Sequence, residues 1–361
     1  MNEKKRKRKG VAIVILFGCS FLMLLAGSLS KEATRWYSFN VYPLWVQTIG
    51  RFFGLVPFSA AEICLYAGIF LCLFFLARFL WRLVKRKQRP HEISEAVLHI
   101  FLTAAILFFV FTLNCGMNYL RPSFSEEYHI ETTAYSISDL ARVCQILTDD
   151  VNQWGKMVKR EEHGLAVSGE SRKAERTEAV SAMQKLGSTY PALKGYYPKP
   201  KGLMLSEFLS YQSLSGIYSP FTVEANYNQD MTPYNIPFTM CHELSHLRGF
   251  MQEEEANFIA YLACLKSESE MFRYSGSLLG WIYCMNVLRD ADPVLHGEIR
   301  KELLPEVEKD LEANSVFWNQ YEGTISEVSN KVNDTYLKAN GQNDGVESYD
   351  RMVDLLVAYY K

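Results

Sequence analysis

The segment CHELSHLRGFMQEEEANFIAYLAC, residues 241–264, combines metal-binding and proton-accepting side chains. His242 and His246 are four positions apart, and residues i and i+4 of a helix lie on the same face. Two imidazoles placed in this way can bind one Zn²⁺ ion, and Glu243 beside them can take a proton from a water molecule on that ion. The spacing therefore favours a catalytic metal site over the alternative of an ordinary amphipathic helix that happens to carry two histidines.

A carboxylate from the next segment can complete this site and leave a fourth position open for water, as in catalytic zinc centres. Gly249 can end the first helix, and Glu253, Glu254 and Glu255 then open a second one. Successive helical residues point about 100° apart, so at most one or two of the three face the metal. Gln252 occupies the place of the third histidine in the related H-E-x-x-H-x-x-G-x-x-H pattern, and glutamine is a poor zinc ligand.

Two resemblances extend this interpretation. The sequence E-x-x-A-N that begins at Glu253 resembles the E-x-x-A-D/N signature that carries the third ligand in several glutamate-type zinc peptidases, which favours Glu253 over Glu254 and Glu255. The segments GIYSPFTVEANYN (216–228), HELSHLRGF, EEEANFIAYLAC and the tail 333–360 together resemble a family of bacterial membrane proteins of unknown function that is grouped with the zincin-like metallopeptidases. The resemblance implies a peptidase-like fold and no established substrate.

Residues 1–115 differ in composition from the rest of the chain. They carry 15 Lys and Arg against 5 Asp and Glu, whereas residues 116–361 carry 23 against 35. Three apolar runs, residues 11–29, 60–80 and 96–113, each approach the roughly 20 residues that cross a bilayer. We therefore expect a membrane domain, residues 1–115, with three transmembrane helices, followed by one soluble domain, residues 116–361.

The basic residues predict the orientation of the spans. KKRKRK precedes the first span, and Arg82, Lys85, Arg86, Lys87 and Arg89 surround the link between the second and third. The positive-inside rule places both in the cytoplasm, so the soluble domain is expected outside the cell membrane. A cleaved signal peptide is the alternative explanation of the first span, but two further spans favour a retained anchor. The basic N-terminus is then a topology signal, and we expect no nucleic-acid partner.

The fold class predicted for the soluble domain is a mainly helical, α+β zincin-like metallopeptidase domain with a small sheet. Helices are expected over 134–154, 174–187 and, as about four helices, 270–361. The charged residues 156–175 are predicted to form a solvated loop. Two runs, LMLSEF (203–208) and GIYSPFTVEANYN (216–228), are predicted to form short strands.

The second of these runs is the candidate for a strand that binds a peptide beside the metal helix. Glu224 within it either binds a substrate amine or fixes a turn, and the second alternative is favoured. Hydrolysis also needs a donor to the tetrahedral oxyanion. The candidate donors are Tyr218, Tyr336 and Tyr349, with Tyr349 preferred.

The sequence thus predicts a membrane-anchored zinc metallopeptidase that acts on a peptide or protein substrate. His242, His246 and Glu253 bind Zn²⁺, and Glu243 is the general base. One alternative is a non-enzymatic binding or sensor protein that keeps the fold. Another is an intramembrane protease, which Arg248 and the three following glutamates disfavour because such charges are costly in lipid.

Overall fold

The computed structural model describes residues 3–85, 90–342 and 351–361, and helices predominate in them. The long N-terminal helices are α1 (Glu3–Leu29), α5 (Ala60–Val84) and α6 (Pro90–Phe111). The stretches Glu3–Leu29, Ala60–Arg82 and Glu92–Tyr119 are long and apolar enough to cross a membrane, and they coincide with the three predicted spans. Their sidedness stays a prediction, and Arg86, Lys87 and Arg89 lie outside the described residues.

The spans are not packed alike. Helices α1 and α6 lie against each other, and the rings of Phe17 and Phe108 are 5.8 Å apart between centroids. In α5, by contrast, no residue from Ile63 to Trp81 is buried. Helix α5 is held at its two ends: the amide groups of Ala60 and Ala61 donate to the Glu224 carboxylate, and Arg82 donates to the Glu92 carboxylate of α6 at 2.8 Å.

Short elements connect the spans to the rest of the chain. Between the first two spans, these elements are α2 (Lys31–Asn40), α3 (Tyr42–Trp45), a π-helical turn (Val46–Gly50) and α4 (Arg51–Gly54). Helix α6 continues into a π-helical turn (Thr112–Gly116), α7 (Met117–Tyr119) and α8 (Phe124–Glu127).

The remaining helices form the body of the protein. Two precede the sheet region, and they are α9 (Ile137–Met157) and α10 (Arg172–Thr189), followed by a 3₁₀ turn (Pro191–Leu193). The others are α11 (Ser206–Tyr211), α12 (Asn235–Leu247), α13 (Glu253–Lys266), α14 (Glu270–Ala291), α15 (Pro293–Arg300), α16 (Pro305–Asn319), α17 (Thr324–Ala339) and α18 (Met352–Tyr360). Five helices therefore occupy the described part of 270–361, where about four were expected.

Local chemistry explains the start of α9. The Ser136 hydroxyl accepts from the amide of Asp139, and the Asp139 carboxylate accepts from the amide of Ser136, so the two residues form a capping box. The expected loop over 156–175 is only partly solvated, because Arg160 and Ala166 pair as an isolated β-bridge and both contact the buried Asp310 carboxylate.

The small sheet has the order β1 (Lys201–Gly202), β3 (Glu224–Tyr227), β2 (Gly216–Ser219). The run GIYSPFTVEANYN, predicted as one short strand, forms two strands, because β2 pairs antiparallel with β3; strand β2 is one edge of the sheet. The strand predicted over LMLSEF is wrong. That run leads into helix α11, because the Glu62 carboxylate of the second span accepts from the amides of Met204 and Leu205 and holds the chain in a turn.

Helix α12 lies at the centre of the body. It packs against α10, α13, α14 and the sheet, and every one of its residues from Asn235 to Leu247 is buried. Polar side chains on such a helix require partners or a ligand, since an unpaired buried polar group is costly. His242, Glu243 and His246 of this helix must therefore have hydrogen-bond partners or a bound ligand.

Candidate metal centre

The two histidines of α12 point their Nε2 atoms at each other. These atoms are 3.0 Å apart, and both side chains are largely buried. The opposite ring nitrogens are bound to oxygen atoms: His242 Nδ1 lies 2.7 Å from Asn257 Oδ1, and His246 Nδ1 lies 2.8 Å from the carbonyl oxygen of Phe250. Those oxygens only accept, so each Nδ1 is placed to donate its proton, and each Nε2 can then present a lone pair to a cation. The short distance between the two Nε2 atoms suits either a shared proton or a bound metal ion.

The chain ends α12 and begins α13 so that a carboxylate reaches the same point. Gly249 has φ +86°, and its amide donates to the carbonyl of His246 at 2.8 Å, which closes the helix as predicted. A Cβ atom at this position would also lie 2.9 Å from Asn118 Oδ1. The chain then re-enters a helix at Glu253, whose Oε2 is 3.2 Å from His242 Nε2 and 3.7 Å from His246 Nε2.

The structure separates the three consecutive glutamates. Glu253 faces the imidazoles, whereas Glu254 accepts from the Gln342 side-chain amide at 2.8 Å and lies 3.4 Å from Arg351. Glu255 accepts from the amide and the hydroxyl of Ser125. Of these three glutamates, Glu253, which the sequence favoured, is the one whose carboxylate lies beside both imidazoles.

The donor set fits a tetrahedral metal ion. Ligand atoms bound at 2.0–2.1 Å with tetrahedral angles lie about 3.3 Å from one another. The three separations here are 3.0, 3.2 and 3.7 Å, and the donor atoms of His242, His246 and Glu253 lie within 4.8 Å of one another. Two imidazole nitrogens and one carboxylate oxygen are also the ligand set of catalytic zinc sites with an open fourth position.

The Glu243 carboxylate lies beside this cluster without a partner. It is buried, and its Oε2 atom has no hydrogen-bond partner among the described residues. The start of β2 approaches it so closely that a Cβ atom on Gly216 would collide with Glu243 Oε1. A buried carboxylate with no donor is costly unless a ligand supplies one, so this group is a candidate for binding a water molecule or a substrate.

The charges of the cluster shift one another's pKa. Burial lowers the pKa of His242, and the positive charge of His246 would lower it further. Burial acts on His246 in the same direction, but the Glu253 carboxylate outweighs it and raises the pKa of His246 to about 9. Burial favours the neutral form of Glu253, yet the two imidazoles hold the pKa of Glu253 well below its usual range. The cluster therefore favours an anionic Glu253 with a positive charge at the two imidazoles. Burial raises the pKa of Glu243 to about 8.

A cavity of about 660 Å³ opens onto these four side chains. One wall is the edge strand, where Ser215, Gly216 and Ile217 line the space. Another wall is the end of the third span, which contributes Cys115 and Tyr119. The candidate metal centre therefore faces a space between the edge strand and the end of the third candidate span.

The structure places the other predicted site residues in different ways. Tyr218 and Tyr336 line the cavity, but the Tyr218 hydroxyl is 3.0 Å from that of Tyr42 and is buried. Tyr349 lies outside the described residues. Glu224 is buried against Lys201 and the start of the second span, so it anchors the chain and does not face the cavity.

Two residues of the site, Asn257 and Gly216, have roles that the sequence did not predict. Asn257 entered the prediction only as part of the E-x-x-A-N pattern, yet it holds His242 while its amide nitrogen donates to the Tyr283 hydroxyl at 3.3 Å. Asn257 lies one helical turn after Glu253 and therefore on the same face of α13, and this spacing could have predicted its contact with the site. Gly216 gave no local signal, because its closeness to Glu243 depends on how the sheet packs on α12.

Comparison with known proteins gives a family and no activity. A family model described as "Protein of unknown function (DUF3810)" matches residues 37–357. No curated protein and no solved structure matches the chain. The matched region includes the second and third spans and all four side chains of the metal centre. Because it covers most of the chain, this protein belongs to the DUF3810 family of proteins of unknown function.

Proposed function

We propose that this protein is a membrane-anchored zinc metallopeptidase of zincin-like fold that hydrolyses peptide bonds. One observation carries the proposal: three donor atoms of His242, His246 and Glu253 converge beside the unpartnered Glu243 carboxylate, and all four face one cavity. A structural metal site would need the ligands but not the free carboxylate.

The nature of the ligands favours zinc. Imidazole nitrogen with a single carboxylate suits Zn²⁺, whereas Mg²⁺ and Ca²⁺ prefer sites made of oxygen ligands. The hydrogen bonds from His242 to Asn257 and from His246 to Phe250 are the outer contacts that orient metal-binding imidazoles. A zinc ion bound here would supply Lewis acidity toward the scissile carbonyl and toward a water molecule.

The side chains of the protein would then move the protons. Glu243 takes a proton from the attacking water at its carboxylate, and it later gives that proton to the leaving amine. Burial raises the pKa of Glu243 to about 8 when no cation is bound, and a cation bound by the neighbouring ligands would favour the carboxylate form that accepts a proton. Gly216 leaves room for this carboxylate beside β2, since any Cβ atom there would meet it.

The edge strand explains how a peptide would be held. Strand β2 pairs on one side with β3, and residues at its start line the cavity. An extended peptide can add to the free edge of a sheet through backbone hydrogen bonds, and this mode of binding requires no particular side chain. We propose that the substrate lies along β2 with its scissile bond over Glu243.

A second candidate function is a non-enzymatic binding or sensor protein that uses the same metal site. An enzyme and a sensor would both bind zinc, but only the enzyme would hydrolyse a peptide. The unpartnered Glu243 favours the enzyme, because a sensor gains nothing from a buried carboxylate that lacks a hydrogen-bond donor.

Metal analysis of the purified full chain tests the proposed site. We expect one zinc ion per chain in the wild type and loss of stoichiometric zinc in His246→Ala and Glu253→Gln. Glu254→Gln and Glu255→Gln are matched controls on the same helical turn, and both should keep zinc, because their carboxylates bind elsewhere. Full zinc in His246→Ala, or loss of zinc in Glu254→Gln alone, would show that the site is drawn wrongly.

A further inference from the structure

Helix α17 has three distinct faces. Ser326 and Leu337 are buried against the protein, while Glu327, Asn330 and Lys331 are exposed and polar. A third face is apolar and exposed. It consists of Ile325, Val328, Val332 and Tyr336, which are 60%, 55%, 63% and 40% exposed. These residues follow one another at intervals of three or four, so they form one stripe along the helix.

Helix α11 and the two residues before it also expose apolar side chains. Met204, Leu205 and Phe208 are 53%, 53% and 70% exposed. Helices α11 and α17 are joined at one point, since the Ser329 hydroxyl of α17 donates to the carbonyl of Gln212 just after α11 at 3.1 Å. We call the exposed apolar residues of these two neighbouring segments together the apolar surface.

Both helices of the apolar surface are attached to membrane spans. At α11, the Glu62 carboxylate in the first turn of the second span accepts from the amides of Met204 and Leu205 at 2.9 Å. At α17, the Tyr336 hydroxyl lies 3.4 Å from that of Tyr119, the last residue of the third span. The start of the second span and the end of the third are on the same side of a membrane, because consecutive spans run in opposite directions.

We propose that the apolar surface formed by α11 and α17 lies in the interfacial layer of the same bilayer that the spans cross. An amphipathic helix with an apolar stripe and a polar face that includes lysine is suited to the plane of that interface. The second and third spans, to which the two helices are attached, themselves expose apolar side chains such as Phe70, Leu73 and Ile100. Water is a poor partner for so many adjacent apolar side chains.

This placement has a consequence for the cavity of the metal centre. Cys115 and Tyr119 of the third span and Tyr336 of α17 all line that cavity. Ile217 and Phe221, which also line it, are 47% and 45% exposed. The cavity therefore opens next to the lipid headgroups, and a molecule that reaches the metal centre approaches along the membrane surface.

Spin labels on the full chain in phospholipid vesicles test the proposal. Cys19, Cys64 and Cys72 are exposed on the spans and are first replaced by Ser, while the other five cysteines are buried. Single cysteines at Val328 and Val332 then carry a nitroxide. The measured quantity is the collision rate with oxygen, which concentrates in lipid, relative to that with a water-soluble nickel complex.

Glu327 and Asn330 provide matched control positions on the polar face of the same helix. We expect the oxygen-to-nickel ratio to be several-fold higher at Val328 and Val332 than at these controls. On α11, the same ratio is compared between labels at Phe208 and at the control position Glu207, so the result does not depend on one helix. The readout needs neither metal nor turnover, and its failure is therefore separate from failure of the proposed function.

Three outcomes would overturn the proposal. Equal and high collision with nickel at all positions would place the apolar surface in water. Low collision with both reagents at Val328 and Val332 would show that another protein covers it. Broadening of the spectra that disappears when labelled chains are diluted with unlabelled ones would show that a second copy of this chain covers it.

Discussion

The hydrogen bond between His242 and Asn257 allows a sharp prediction about metal affinity. His242 Nδ1 lies 2.7 Å from Asn257 Oδ1, and this contact keeps the proton on Nδ1 and the lone pair on Nε2. Replacing Asn257 with Leu keeps a similar volume but removes the acceptor. The imidazole then loses its fixed tautomer and orientation, and the buried Nδ1–H group loses its partner.

The expected loss follows from two independent considerations. Groups that orient metal-binding histidines typically contribute 10- to 100-fold to metal affinity, or about 1.4–2.7 kcal/mol. An unsatisfied buried donor costs about 1–3 kcal/mol, which is the same range. We therefore expect Asn257→Leu to weaken zinc binding by about 10- to 100-fold. Asn257→Asp supplies a stronger acceptor at the same place and should bind zinc at least as tightly as the wild type.

Competition between the purified full chain and a chelating dye measures this affinity. Asn333→Leu is the control, because Asn333 is an asparagine that lines the same cavity but is only partly buried and is not bonded to either histidine. It should bind zinc like the wild type. If Asn257→Leu binds zinc as tightly as the wild type, or if Asn333→Leu loses as much affinity, the tautomer argument is wrong.

Three more predictions concern the strand, the anchor and the topology. Gly216→Ala should keep zinc but lose peptide hydrolysis, because the new Cβ atom collides with the Glu243 carboxylate and with the Asn226 carbonyl oxygen of β3 and so displaces the start of β2 from Glu243; metal content and turnover are measured together. Glu224→Gln should lower the free energy of unfolding by about 3–5 kcal/mol, since it leaves the buried Lys201 ammonium without its counter-charge, as denaturant titration would show. A reporter that is active only outside the cytoplasm should work when fused after Lys361, whereas a reporter restricted to the cytoplasm should not.

Each of these three predictions has a control variant or a result that would contradict it. Gly297→Ala adds a Cβ atom in open space and should leave hydrolysis unchanged. Full activity in Gly216→Ala would mean that β2 does not confine the Glu243 side chain. An unchanged unfolding transition in Glu224→Gln would show that the ion pair with Lys201 does not stabilise the anchor. Activity of the cytoplasmic reporter alone would reverse the orientation.

Local patterns predicted the parts of the site that lie on single helices. The four-residue interval between His242 and His246 and the turn at Gly249 depend on neighbours in sequence, so they were readable without a structure. The E-x-x-A-N pattern also favoured Glu253 over Glu254 and Glu255. What the pattern could not show is where the other two carboxylates lie, because their partners Gln342 and Ser125 are distant in sequence.

Long-range contacts also explain where the prediction of the fold was wrong. LMLSEF has the apolar character of a strand, but a carboxylate from the second span, Glu62, binds its amides and directs it into α11. Glu224 faces the first turn of the same span, which is 163 residues away in sequence at Ala61. Both glutamates join the membrane part to the body, and such pairings cannot be found from the periodicity of one segment.

Turnover by the Glu243→Gln variant tests the central claim most directly. The substitution keeps the size of the side chain and leaves His242, His246 and Glu253 in place, so zinc should remain bound at one ion per chain. We predict that the zinc-loaded wild type cleaves peptides from a mixed library. Under the same conditions the variant should be slower by at least about 10²-fold, the scale of lost general-base catalysis. Equal rates in the two proteins, or no cleavage by a fully zinc-loaded wild type, would contradict the peptidase mechanism.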